Sequence, residues 1–176
     1  MTTPIDIPFD SIGLVPDGPH SETFVVPPDE GRLCRQVREF HRAMGQPTAS
    51  APCALDVERV RLRLSLIIEE VTELAAALGS DGTVLSLLEA TQALLAHDDF
   101  SEPLNLVAAA DAMGDTQYVV AGTAVEMGIA LEAVTDEIHR SNMTKAGGEV
   151  RADGKVLKGK NYKPPRLEPI LFGGAA

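Results

Sequence analysis

Eleven residues constrain this chain more than any others: Leu64-Ser65-Leu66-Ile67-Ile68-Glu69-Glu70-Val71-Thr72-Glu73-Leu74, three carboxylates set into an otherwise apolar run. At about 100° per residue, a helix places Glu69 and Glu73 on one face a turn apart, with Glu70 on the flank of the same arc. Leu62, Leu66, Glu69 and Glu73 then share one stripe. Val60, Leu64, Ile67, Val71 and Leu78 form the opposite stripe, which is expected to face the core. Like charges at this spacing repel one another and are costly to dehydrate, so a cationic partner is the natural reason for gathering them.

The rest of the chain arranges itself around that helix. Residues 1–28 hold six of the twelve prolines and cannot sustain a helix; with Ile5, Ile7, Phe9 and Phe24 among them, they read as an extended arm lying on the body or on a partner subunit. Residues 29–146 read as a helical domain. Its first helix is expected from a cap at Asp29 to about Met44, the glutamate helix from Asp56 to Leu78 with a stop at Gly79, and a shorter one from Thr83 to His97. A fourth, from about Glu102 to Met127, carries a second acidic pair, Asp111 and Asp115, one turn apart and beside Gly114. Because glycine is a poor helix former, Gly114 suggests the close approach of another helix or a ligand. A fifth runs from Leu131 to about Lys145. Residues 147–176 turn basic and glycine-rich, with Arg151, Lys155, Lys158, Lys160 and Lys163 close together and a hairpin signal at Asp153-Gly154. This reads as a loop that bends over an anion.

Composition narrows the chemistry. A net charge of -11 disfavours duplex nucleic acid and anionic membrane surfaces. Only 4% of residues are aromatic and none is Trp, so the core must come from Ala, Leu, Val and Ile. Cys34 and Cys53 lack metal-ligand spacing, and His20, His41, His97 and His139 are scattered. Asp136 and His139, three apart, are the one hint of a di-iron bundle, which would require Glu-x-x-His twice. No phosphate-binding GxxxxGK[ST] loop, GxGxxG turn or GxSxG elbow occurs. Two helical faces rich in carboxylate suit hard divalent cations, Mg²⁺ above all, shared with a phosphate substrate.

At this point the sequence resembles the MazG-like superfamily of all-α nucleoside triphosphate pyrophosphohydrolases, in particular its phosphoribosyl-ATP pyrophosphohydrolase-like branch, related to the dimeric dUTPases. Glu69-Glu70-Val71-Thr72-Glu73 is similar to the superfamily's EExxE. Asp115-Thr116-Gln117-Tyr118 supplies the last part of the second motif, ExxD followed by an aromatic. Ala112 stands where that motif has Glu, and Asp111, one residue earlier, resembles a DxxxD variant. The resemblance continues through His139-Arg140-Ser141-Asn142-Met143-Thr144-Lys145 into Asp153-Gly154-Lys155-Val156-Leu157-Lys158-Gly159-Lys160-Asn161-Tyr162, and spans roughly residues 56–165.

The resemblance implies an oligomeric helical bundle, a homodimer or homotetramer, that cleaves a (d)NTP between its α- and β-phosphates with two or more Mg²⁺ or Mn²⁺ ions per site. Glu69, Glu70, Glu73, Asp111 and Asp115 would be the metal ligands, with Glu69 or Glu70 orienting the attacking water. Asn142 would meet base or sugar. Lys145, Lys158 and Lys160 would meet phosphate oxygens, with Asn161 and Tyr162 completing the substrate site. Nucleotide-pool sanitation of dUTP or dCTP and hydrolysis of (d)GTP both fit, as does a cytoplasmic location, the host's for a phage-encoded chain. Two alternatives stand beside this reading: hydrolysis of phosphoribosyl-ATP itself, and a helical scaffold without catalysis.

Overall fold

Local chemistry sets where each helix begins and ends. A computed structural model describes residues 31–173. It contains α1 (Arg32–Ala43), α2 (Val57–Ala77), α3 (Gly82–Leu95), α4 (Leu106–Glu126), α5 (Leu131–Met143) and a short α6 (Glu168–Phe172). The Asp56 carboxylate accepts from the Arg59 amide at 2.8 Å and starts α2 where the sequence places it. Gly79, at φ +88, takes the left-handed conformation that ends it. Asp81 caps α3 through the amides of Thr83 and Val84, and Asn105 caps α4 through those of Val107 and Ala108.

The last cap corrects an expectation. Helix α4 begins at Leu106 rather than near Glu102, because Pro103 disfavours helix in the residue before it and the Asn105 side chain captures the free amides. Helix α5 likewise ends at Met143, two residues early, and turns carry the chain to the C-terminal segment. Helix α6 was not anticipated. Pro169 lies in its first turn, where the missing amide is no loss. The expected cap at Asp29 and the arm 1–28 fall outside the described residues.

Among the described residues two helix pairs pack closely. Helix α2 lies against α3, with Gln92 donating to the carbonyl and hydroxyl of Ser65 between them at 3.2 and 3.1 Å. Helix α1 lies against α5 through Arg32, paired with Glu132 at 3.0 Å and Asp136 at 3.4 Å, and through Gln36, which donates to Asp136 at 2.8 Å. The C-terminal segment is tied to α5. Ser141, buried, donates to the Lys163 carbonyl, and the Arg166 amide donates to Glu137. Among the described residues the backbone forms no strand longer than a single antiparallel bridge, Val150 with Val156.

The core is thin. Leu62 and Ala124 are the buried apolar residues among those described. Val60 is half-buried, but Leu64, Ile67, Val71 and Leu78, expected to face inward, are exposed, while Leu62 from the glutamate stripe is 5% exposed. The expected orientation of α2 is therefore reversed at its N-terminal half, because the C-terminal loop covers the Leu62 side. Helix α4 is barer still, with Val107, Met113, Tyr118, Val119 and Val125 all above 60% exposed. Isolated exposed apolar residues are ordinary; a whole helix of them marks a surface that something else covers.

Candidate functional site

The C-terminal loop explains the charge on α2. From Glu149 to Leu157 the chain forms a hairpin: the Arg151 amide donates to the Lys155 carbonyl at 2.9 Å and the Leu157 amide to that of Glu149 at 2.8 Å. The Asp153-Gly154 signal fixes its tip. Gly154 has φ +94, and a Cβ there would meet Arg59 Nη1 at 3.1 Å and Leu62 Cδ2 at 3.3 Å, so the tip presses directly on α2. Asp153 accepts from Arg151 across the turn and from the Lys155 amide, and these bonds hold its carboxyl down at about 2. At the base, Gly148 and Gly159 meet backbone to backbone, with no room for a side chain on either.

From that docked tip Lys155 extends along α2. Its ammonium donates to both carboxylate oxygens of Glu69 at 2.5 Å, each side chain about a third exposed. Glu70 beside it is crowded differently. Partial desolvation, then the charges of Glu73 and Glu69, raise its carboxyl above the usual range, against weaker opposing pulls from Lys155 and Lys145. Lys145, half-buried just past α5, is lowered by desolvation and by Lys158 and Lys155, with Tyr162 and Glu70 opposing. The Lys158 ammonium sits over the Tyr162 ring, 5.0 Å from its centroid. Glu69, Glu70, Glu73, Lys145, Lys155, Lys158 and Tyr162 thus belong to one electrostatic neighbourhood within a single chain. Lys160 and Asn161 are exposed on the turn leading out of it.

The second acidic pair is elsewhere. Asp111 and Asp115 stand exposed on α4, which does not pack on α2, and neither is an electrostatic neighbour of Glu70. Among the described residues no three His, Cys, Asp or Glu side chains group closely enough to hold a metal. Gly114, expected to admit a close neighbour, has nothing within 4 Å of where a Cβ would lie. Asp136 and His139 do not act as a metal pair either: Asp136 binds Arg32 and Gln36, and His139 turns to Glu39 at 3.3 Å.

Asn142 lines a small groove between α1 and α5, about 80 Å³, with Leu33, Gln36, Val37, Phe40 and Ile138. Gln36 is bonded through its nitrogen, but its Oε1 is buried with no hydrogen-bond partner. An acceptor left so costs free energy until a donor arrives. The sequence marked Asn142 and missed Gln36, whose place opposite it depends on how α1 crosses α5. It also named Lys155 within a motif without giving it a role, although its position after the Asp-Gly turn was the available signal.

The carboxylate helix, the basic hairpin folded onto it and the all-α architecture define a MazG-like pyrophosphohydrolase. The sequence model of phosphoribosyl-ATP pyrophosphohydrolase matches residues 37–142, more than half of the chain, and the chain belongs to that family. Among solved structures, a proposed NTP pyrophosphohydrolase from Exiguobacterium sp. 255-15 is similar, at 26% identity and a TM-score of 0.59 over 81% of this chain and 92% of that one. No curated protein matches. Family membership makes the chain an enzyme, and the scaffold alternative falls away. No single helix among the described residues is long and apolar enough to cross a membrane.

Glu69, Glu70 and Glu73 offer carboxylate oxygens, the donor type a hard divalent ion takes, and Glu69 already accepts a cation in the form of the Lys155 ammonium; among the described residues they do not by themselves close around an ion.

Proposed function

We propose that the enzyme cleaves a nucleoside triphosphate between its α- and β-phosphates, releasing a monophosphate and pyrophosphate, with Mg²⁺ or Mn²⁺ held by Glu69, Glu70 and Glu73 of one copy and Asp111 and Asp115 of a second. The observation that carries this reading is the three-glutamate face of α2 with Lys155 of the same chain bonded to Glu69 and Lys145 acting on Glu70, which supports a site where metal ligands and phosphate-binding groups would lie side by side. Bound there, the ions would neutralise phosphate charge and favour in-line displacement at phosphorus.

The chain's own groups do the rest. Glu70, its carboxyl raised above the usual range by desolvation and by Glu73 and Glu69, accepts a proton from the attacking water as the water oxygen bonds to the α-phosphorus and the bond to the β-phosphate oxygen breaks. Lys145 and Lys158 meet the charge that accumulates on the departing pyrophosphate. Asn142 offers donor and acceptor together to base or sugar, with Gln36 and Phe40 on the walls of the same groove. A second copy is part of the reading because α4 alone leaves its acids and its apolar residues uncovered; laid against α2 of a partner, it supplies both.

Incubation with each (d)NTP and Mg²⁺, followed by product identification, tests the activity. A monophosphate and pyrophosphate in equal amounts are expected from at least one nucleotide; release of orthophosphate instead would contradict the cleavage position. The family match favours a second reading, phosphoribosyl-ATP as substrate, which the same assay separates by rate.

A further inference from the structure

The Lys155–Glu69 pair has a geometry that a static structural ion pair does not need. The hairpin is anchored at Gly154 on Arg59 and Leu62, two helical turns before Glu69, and the ammonium reaches the carboxylate at the end of a flexible four-carbon stem. It can therefore move by a few ångströms while the Gly154 tip stays docked. Lys155 is bonded to Glu69, Lys145 and Lys155 act on Glu70, Lys158 on Lys145 and Arg151 on Glu69; with Glu73 and Asp153 counted, the formal charges of the neighbourhood cancel. A divalent ion added to the glutamates leaves the lysines in excess, and the excess is what a polyphosphate would meet.

We propose that Lys155 is a positioning residue that exchanges partners during loading, holding Glu69 in the unloaded enzyme and turning to a phosphate oxygen of the substrate once a divalent ion takes Glu69. This rests on reading Glu69 as a metal ligand. The exchange makes ion and nucleotide binding interdependent: the ammonium opposes an ion arriving alone and favours one that arrives with its anion. It also gives the hairpin three states: pinned to Glu69, loosened with the ion alone, and pinned again with ion and anion.

The test compares the full-length enzyme with Lys155→Met and Lys155→Arg by calorimetry, first with Mn²⁺ alone and then with inorganic pyrophosphate at saturating Mn²⁺. Lys155→Met is expected to bind Mn²⁺ alone about two- to fivefold more tightly, since a partly exposed ion pair no longer competes, and pyrophosphate about tenfold more weakly, since a charge-assisted hydrogen bond is gone. Lys155→Arg should keep the pyrophosphate affinity within a few fold. Amide exchange at Arg151 and Leu157 in the unsubstituted enzyme should quicken with Mn²⁺ and slow again when pyrophosphate is added. Weakening of both ligands in Lys155→Met, or of neither, with no change in hairpin exchange, would overturn the exchange and leave Glu69 as a ligand untouched. Absence of Mn²⁺ binding in every form, with Glu69→Gln indistinguishable from the unsubstituted enzyme, would overturn the metal reading itself and this inference with it.

Discussion

Helices α2 and α4 have the same length and each carries carboxylates amid apolar residues, yet the chain treats them in opposite ways. Helix α2 is covered in part: α3 lies on one side, the Asp153-Gly154 tip presses on Leu62, and Lys155 pairs with Glu69. Helix α4 has Asp111 and Asp115 in the open beside Val119 and Tyr118, at 62% and 81% exposure. One chain thus brings its own basic hairpin to the carboxylates of α2 and leaves those of α4 uncovered; in the proposed reading α2 holds the phosphate and α4 meets a second copy. A helix this apolar is stable in water only when covered, and in this account its cover is another copy of α2 and α3.

Substitutions on the two helices separate their roles. The largest effect belongs to Glu70→Gln, expected to lower kcat by about 10²- to 10⁴-fold with the fold intact, as removal of a general base does; turnover within a few fold of the parent enzyme would remove Glu70 from the chemistry. On the α2 side, Leu62→Ala should cost about 2–5 kcal/mol in denaturant unfolding, because Leu62 fills the contact between helix and hairpin. Its counterpart on α4, Val119→Asp, should leave the folded chain intact while raising the dissociation constant of the assembly at least about tenfold in sedimentation, since a charge is buried at the new contact. An unchanged assembly would show that α4 is not its interface. Smaller again, Gly154→Ala should cost about 1–2 kcal/mol, from the positive φ and the crowding against Arg59 and Leu62.

The smallest effect is a pH dependence located away from both helices. Glu137 receives hydrogen bonds from Arg140 and from the Arg166 amide, which hold its carboxyl at about 2 against an ordinary 4.5. Its folded pKa is depressed, so its stabilisation is present above pH 4.5 and is lost as the pH falls from there toward 2. Glu137→Gln should flatten that part of an acid-unfolding curve, and an unchanged curve would remove the linkage.

What could be read from the sequence was local. Asp56 and Gly79 bracket α2 because capping and left-handed glycine act within a few residues, and the same holds for the Asp153-Gly154 turn. The acidic cluster was legible for a similar reason, since Glu69, Glu70 and Glu73 lie within a turn or so of one another. What depended on distant chain was not legible. The buried face of α2 was misjudged because the hairpin that covers Leu62 comes some ninety residues later, and Lys155 was one of five basic residues in the loop with no partner of its own until the docked tip gave it a direction. Gln36 opposite Asn142 was hidden by the same separation.

If α2 of one copy and α4 of another make one site, as proposed, two inactive subunits must be able to restore it between them. Glu70→Gln and Asp115→Asn, each inactive alone, are unfolded together, refolded as a mixture and assayed for pyrophosphate release. A dimer with shared sites should recover up to about a quarter of the parent activity, because half of the randomly reassembled dimers are mixed and each of these restores one site of its two. Activity no greater than the sum of the two inactive variants, in a sample shown to contain mixed dimers, would contradict the claim.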